Sequence, residues 1–330
     1  MGQAKFLSWK KRYGKPNEHN GKIPKDFWIL PEEEQAIIDF FIENPTEGYR
    51  RLSYMMMDEN VAYVSASTVL RVLKKHNMIE RSTAKKSKKG TGFVQPLSPH
   101  KHWHTDITYI NLSGTFYYMC SVLDGYSRSI LHWDICESMK EDQVELIIQK
   151  ALEKYPGNAP RLISDNGPQF LAKDFKEFIR NCGMSHVRTA PYYPQSNGKQ
   201  ERMQGTIKQE CIRERCPQTL EQAKRWVGEY IDYYNRERLH SAHGYIAPFD
   251  MLEGREKEIF SRRDSQLSQA RQQRREKRRL QVQEDFERVV LSDETEVGSA
   301  GAQPAQGYSD QTHQTMPDGC VSYSDLCAHR

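Results

Sequence analysis

The sequence predicts a mixed α/β protein: a sheet-based core, a short all-helical unit ahead of it and a charged helical extension behind it. Three observations carry this. Three strand-like segments follow one another between residues 102 and 136 at meander spacing. Short strands and helical stretches then alternate up to residue 237. The texture on either side is different, with helical periodicity before residue 80 and charge-rich, apolar-poor sequence after 255.

Taken in order, residues 1–30 are basic and polar, with Gly14, Pro16, Gly21 and Pro24, and read as an arm. At Pro31 a helix begins: PEEEQAIIDFFIENP puts acids in the first turn and Pro45 just beyond the end. A second helix is predicted over 49–58. A third is predicted over 67–76, with Ser65 or Ser67 as N-cap and Val69, Leu70, Val72 and Leu73 as its apolar positions. The short link ENVAYVS joins the two. Three helices with a tight link before the last fit a helix-turn-helix, whose last helix enters the DNA major groove; a plain helical bundle has the same pattern.

Residues 81–97 form a linker. Within it RSTAKKSKK carries five basic residues and no acid, and Lys85, Lys86, Lys88 and Lys89 are candidate phosphate contacts. KHWHTDITYINL, TFYYMCSVLD and SRSILHWDIC then read as a three-stranded antiparallel meander. A helix over 138–154, the strand RLISD, a helix over 169–181, the strand HVRTA and helices over 196–214 and 218–237 complete a mixed sheet with helices on its faces. Residues 255–288 hold 11 basic and 7 acidic residues and read as an exposed helix. The tail from 291, rich in Ser, Gly, Gln and Asp, reads as disordered.

Charge and composition narrow the function. The net charge is +4, from 48 basic and 44 acidic residues, but it is unevenly spread, and local basic runs point to a polyanion partner. No apolar run is long enough to cross a bilayer, and no secretory signal follows the basic N-terminus. Seven cysteines, odd in number and without a CxxC pair, read as reduced thiols of a cytoplasmic protein.

The candidate chemistry lies in three acids. Asp106 sits inside the first strand, in WHTDITYI. Asp165 ends a later strand, in LISDNG. Glu201 lies early in a helix, with 35 residues between it and Asp165. An isolated carboxylate in a half-buried strand is costly, whereas three brought together make an oxygen-ligand cluster for Mg²⁺. Two such ions support in-line displacement at a phosphodiester. For Asp165, before Asn166-Gly167, a simple turn is an equally good explanation.

WHTDITYI, VLDGYSRSI, SDNGPQF and YYPQSNGKQERMQGTIKQE, in that order, resemble the integrase-like catalytic core of bacterial insertion-sequence transposases, in particular the second-frame product of two-frame elements. The resemblance spans residues 31–250 and includes the D,D(35)E spacing. It implies an RNase H-like fold, two Mg²⁺ or Mn²⁺ ions on Asp106, Asp165 and Glu201, and DNA cleavage followed by strand transfer of the 3′-OH. The implied partners are double-stranded DNA, as element terminal repeats and as target, and a second copy of the chain on paired ends, on nucleoid DNA. Lys208, seven residues after Glu201, matches the family's basic residue there. With Lys199, Arg202 and Asn197 it is a candidate DNA contact. Residues 48–79 resemble the family's helix-turn-helix. YNRERLHSAHGYIAPFDML resembles its closing segment, through Tyr234, Asn235, Arg238, His240, Gly244, Tyr245 and Pro248, and reads as a structural cap with DNA contacts.

Three neighbours are set aside. Asp124, in VLDGYS, reads as a turn acid; His102 and His104 lack partners at zinc spacing; and the methionines at 55–57 read as core filling. Nothing before residue 31 resembles the family's first-frame terminal-repeat-binding region, so the chain is expected to need that partner or a fusion to it. Two rival functions share these features: a DNA-binding regulator derived from a transposase, and an RNase H-like nuclease.

Overall fold

The computed structural model describes residues 5–7, 10, 25, 28–79, 95–189 and 198–298. Most of the expected arm, nearly all of the linker with Lys85, Lys86, Lys88 and Lys89, and Asn197 lie outside the described residues. The chain divides into two units, Met1–Glu276 and Lys277–Arg330; all packing given below is within the first.

The N-terminal unit is three helices, α1 Pro31–Glu43, α2 Tyr49–Asp58 and α3 Ala66–Lys75. Pro31 occupies the first turn of α1, and the Leu30 N–H donates to Glu33 Oε2 at 2.8 Å. Ser65 is the N-cap of α3, its Oγ accepting from the Thr68 N–H. Ile37, Phe40, Leu52, Met56, Val69, Val72 and Leu73 form the unit's own core. Met56 and Met57 are buried, so two of the three methionines do fill core.

The second body is a five-stranded sheet in the order β3-β2-β1-β4-β5. Its strands are β1 His102–Leu112, β2 Thr115–Asp124, β3 Ile130–Cys136, β4 Arg161–Ser164 and β5 Ser185–Arg188. The first three pair antiparallel, β4 joins β1 in parallel, and β5 joins β4 in parallel. This is the mixed sheet of the RNase H-like expectation.

Helices cover both faces. α4 Glu141–Lys154, α5 Pro168–Leu171 and α6 Lys173–Asn181 lie on one. That layer closes over Trp103, Val122, Leu131, Ile148, Phe170 and Phe175. The other face takes α7 Gly198–Ile207 and α8 Leu220–Arg236, around Ile110, Leu123, Ile135, Ile207, Val227 and Tyr234. Successive strand residues point to opposite faces. In β1 this sends Trp103 to the first layer and Ile110 and Leu112 to the second. Asp106, in phase with Ile110, therefore points toward α7.

Three expectations are corrected. The 169–181 helix is two helices, parted at Ala172. The 196–214 helix is α-helical only to Ile207; it continues as a π-turn, Lys208–Ile212, and one further turn, Arg213–Arg215. The C-terminal helix, α10 Glu256–Gly298, runs past the expected start of the tail at 291, because no Gly or Pro interrupts the sequence until Gly298. A short α9, Pro248–Leu252, leads into it.

α10 is also not simply an exposed helix. Ile259 and Ala270 are buried, and so are Arg263 and Arg274. Arg263 donates to both carboxylate oxygens of Asp58, at 3.1 and 2.5 Å. Arg274 donates to Glu33 and to the Tyr63 carbonyl, the latter at 2.7 Å. The arginines that read as outward charge tie α10 to the N-terminal helices.

Candidate active site

Parallel pairing of β1 with β4 runs His102↔Arg161, Trp103↔Leu162 and His104↔Ile163, and stops there. Continued by two residues, the register sets Asp165 level with Asp106 on the α7 face. Past that point β1 is flanked by β2 alone, so the sheet opens on one side where the two carboxylates sit. Asp106 is half-buried and its Oδ1 accepts from the Ile107 N–H at 3.0 Å. Its carboxyl is pushed up to about 7, by burial first and then by the charge of Asp165, with Glu201 adding; the Ile107 N–H and the Gln204 amide oppose the shift. The three acids thus share one electrostatic neighbourhood.

Asp165 follows β4 directly. Its Oδ1 accepts from the Gly167 N–H at 3.0 Å. A Cβ at Gly167 would lie 3.1 Å from that oxygen, so a bulkier residue would crowd the carboxylate. The Asn166 amide donates to the Thr189 carbonyl at 2.9 Å and ties this turn to the end of β5. The turn expected of Asp165-Asn166-Gly167 is real, and it aims the acid as well as reversing the chain.

α7 is pinned across the face that carries Asp106. Gln200 donates to the Ser121 Oγ and carbonyl at 2.7 and 3.0 Å, and Ser121 is the β2 partner of Asp106. Gln204 approaches Asp106. Lys208 Nζ donates to Thr108 Oγ1 at 2.6 Å. Positions 200, 204 and 208 form one stripe at four-residue spacing. Glu201 sits beside this stripe and is exposed. Sequence reasoning missed Gln200 and Gln204; the signal was their spacing from Lys208.

The donor set suits a hard divalent cation: three carboxylates with no thiolate or imidazole among them. The raised Asp106 carboxyl fits too, since packed like charges are what such a cation relieves. Among the described residues, no group of three His, Cys, Asp or Glu side chains is already closed to metal-holding distance. Residues 190–197, which lead into α7, lie outside the description.

Residues 96–194 match the family model described as "Integrase core domain", and residues 182–248 match a second model of the same description. The chain carries an integrase core domain. An uncharacterised transposase-like protein of Haemophilus influenzae is 28% identical over 141 residues, 43% of this chain and 65% of that one. The chain thus spans just under two thirds of that relative's length. The InsD transposase for insertion element IS2A/D/F/H/I/K of Escherichia coli is 28% identical over 228 residues, 64% of this chain and 75% of that one. Among solved structures, the HTLV-2 integrase catalytic core domain in complex with magnesium (trimeric form) is similar with a TM-score of 0.39 and 19% identity, over 47% of this chain and 97% of that one.

Other residues singled out in the sequence surround the integrase core. Asp124 is buried and accepts from the backbone N–H groups of His100, Tyr126 and Ser127 and from the Ser127 hydroxyl. It is a turn acid. Gly125 packs against β1 so closely that a Cβ would lie 2.9 Å from the His102 carbonyl oxygen. His104 is buried beneath the same turn. Lys199 points inward, its Nζ donating to the Gly125 carbonyl at 2.7 Å, and burial lowers its ammonium to about 7. Arg202 is exposed.

The closing segment caps the integrase core. The Asn235 amide brackets Ile130, accepting from its N–H and donating to its carbonyl, each at 2.9 Å. Arg238 forms a two-pronged pair with Glu210, at 2.7 and 2.5 Å, and Glu210 also accepts from Tyr230. Gly244 adopts φ +68, and a Cβ there would lie 2.8 Å from the Phe260 ring. Tyr245 stacks on Tyr54 at 5.0 Å between centroids. Beside α3 a cleft of about 690 Å³ is lined by Thr68, Arg71 and Lys75 and, from α10, Arg271, Arg274 and Arg275. None of the described helices is long and apolar enough to cross a membrane.

Proposed function

We propose that the chain is a DDE transposase: it cuts DNA at the ends of an insertion element and joins the freed 3′-OH to another phosphodiester. Asp106, Asp165 and Glu201 would hold two Mg²⁺ or Mn²⁺ ions. The observation that carries this reading is that Asp106 and Asp165 sit where the sheet opens, with the Asp106 carboxyl raised by burial first and then by Asp165 and Glu201.

Each part of the chain has a task in this reading. When bound, the metal pair activates the attacking oxygen and steadies the leaving oxygen of an in-line displacement. Asp106 and Asp165 set the position of the reacting phosphodiester from two rigid strands. Glu201 comes from α7, which the Gln200 and Lys208 contacts hold on the sheet. Lys208, already close to Asp106, supplies a cation for a DNA phosphate. Arg71, Lys75 and Arg271 at the α3 cleft suit the duplex backbone, which supports DNA positioning by the N-terminal helices. The working partners are terminal-repeat and target DNA, a second copy on the paired end, and a first-frame DNA-binding partner, all on nucleoid DNA in the cytoplasm.

The test is a joining assay with the full chain, a labelled duplex bearing the cognate element end, and Mg²⁺ or Mn²⁺ against EDTA. Joined products that require the metal are expected. Duplex binding without cleavage or joining, with the first-frame partner also present, would contradict the reading and favour a regulator.

A further inference from the structure

Next to the start of α7 lies a group of cations that the proposed chemistry does not use. Arg128 sits in the β2–β3 turn at φ +66, a left-handed conformation unfavourable for a non-glycine residue. Its Nε is buried and, among the described residues, has no hydrogen-bond partner. Burial lowers it to about 10, and Arg202 adds to the shift. Among the described residues the carboxylate acting on it is Asp124, whose oxygens already accept from four donors.

Two histidines of the closing segment join the group. The His240 and His243 rings lie 5.3 Å apart between centroids. Burial holds both imidazoles neutral, at about 3 and about 4, and Arg128 opposes protonation of each. The His243 Nε2 is also buried without a hydrogen-bond partner among the described residues. Arg238, nearby, is spoken for by Glu210. Arg128 and Arg202 are not paired with any carboxylate among the described residues.

A half-buried cation without a paired counter-charge is unfavourable, and a strained turn that holds it there calls for a compensating contact. A phosphate supplies both the charge and acceptor oxygens that match a guanidinium fork. We propose that Arg128, Arg202 and His243, with His240 behind them, form a pocket for one backbone phosphate of the DNA, beside the start of the Glu201 helix. The pocket draws on the β2–β3 turn, α7 and the closing segment. It gives the closing segment a direct part in DNA binding. It rests on the transposase reading for the identity of its ligand.

The test is duplex binding by the full chain in EDTA, followed by anisotropy of a labelled 20-base-pair duplex across a salt series. Arg128→Met keeps a long side chain while removing the charge. It is expected to weaken binding severalfold and to lower the slope of log affinity against log salt by about one. Arg202→Gln, on an exposed residue, is expected to lower the slope by a similar amount. Without DNA, the Tm of Arg128→Met is expected to equal or exceed that of the parent, which a purely structural arginine would not allow. An unchanged slope in Arg202→Gln, or a lower Tm with unchanged slope in Arg128→Met, would overturn the proposal. If Arg128→Met does not fold, the Arg202→Gln slope decides alone. A parent chain that does not bind duplex at all would overturn the DNA reading and this pocket together, whereas parent binding with unaltered variants overturns the pocket only.

Discussion

A carboxylate in the middle of a strand must be balanced by something, and at Asp106 the Ile107 N–H and the Gln204 amide do not offset burial and two acids. The sign of the consequence follows. The native carboxyl, at about 7, binds its proton more tightly than the unfolded chain, at 3.8. Its contribution to stability is therefore full at low pH and is lost as pH rises from about 4 through 7. Asp106→Asn removes this loss. In EDTA at pH 8 the variant should be more stable than the parent by on the order of a few kcal/mol, with the difference vanishing near pH 4. Thermal melts across pH would check this, and a variant that melts lower at pH 8 would contradict it. Asp106 was legible because acids are rare inside strands. Gln200 and Gln204 were not, because a glutamine on a helix is ordinary until its partner on the sheet is known.

At the scale of elements, α10 shows where a polarity-based reading fails. Its few apolar residues suggested an exposed helix, yet positions 259, 263, 270 and 274 lie on one buried face, and two of them are arginines. A guanidinium buried against a carboxylate looks like surface in sequence and behaves as core in the fold. Arg274→Met leaves Glu33 half-buried without its partner and should destabilise the chain by roughly 3–5 kcal/mol, while adding Glu33→Gln should recover much of that. Denaturant melts of the two variants would measure it; equal stability of Arg274→Met and the parent would show that the pair contributes nothing. By contrast, α2 was legible to the residue, because a tight amphipathic pattern ends in a turn on both sides. The break at Ala172 was not, since nothing in LAKDF forbids a continuous helix.

Across the whole molecule, the proposed site takes one acid from the long central strand, one from the end of its parallel neighbour and one from a helix packed on the central strand. That arrangement needs β4 to enter beside β1, on the side away from the meander, as the strand order has it. Strand count and order of elements could be read from alternation and turn residues. The parallel register could not, because it depends on which apolar faces meet. Metal ligation by the three acids is the central claim, and metal-specific rescue tests it most directly. Glu201→Cys and Asp106→Cys would be compared with the parent in the joining assay, in Mg²⁺ and in Mn²⁺, whose softer ion accepts a thiolate. Loss of joining in Mg²⁺ with partial return in Mn²⁺ is the expected result. Undiminished joining by either variant in Mg²⁺ would contradict the account.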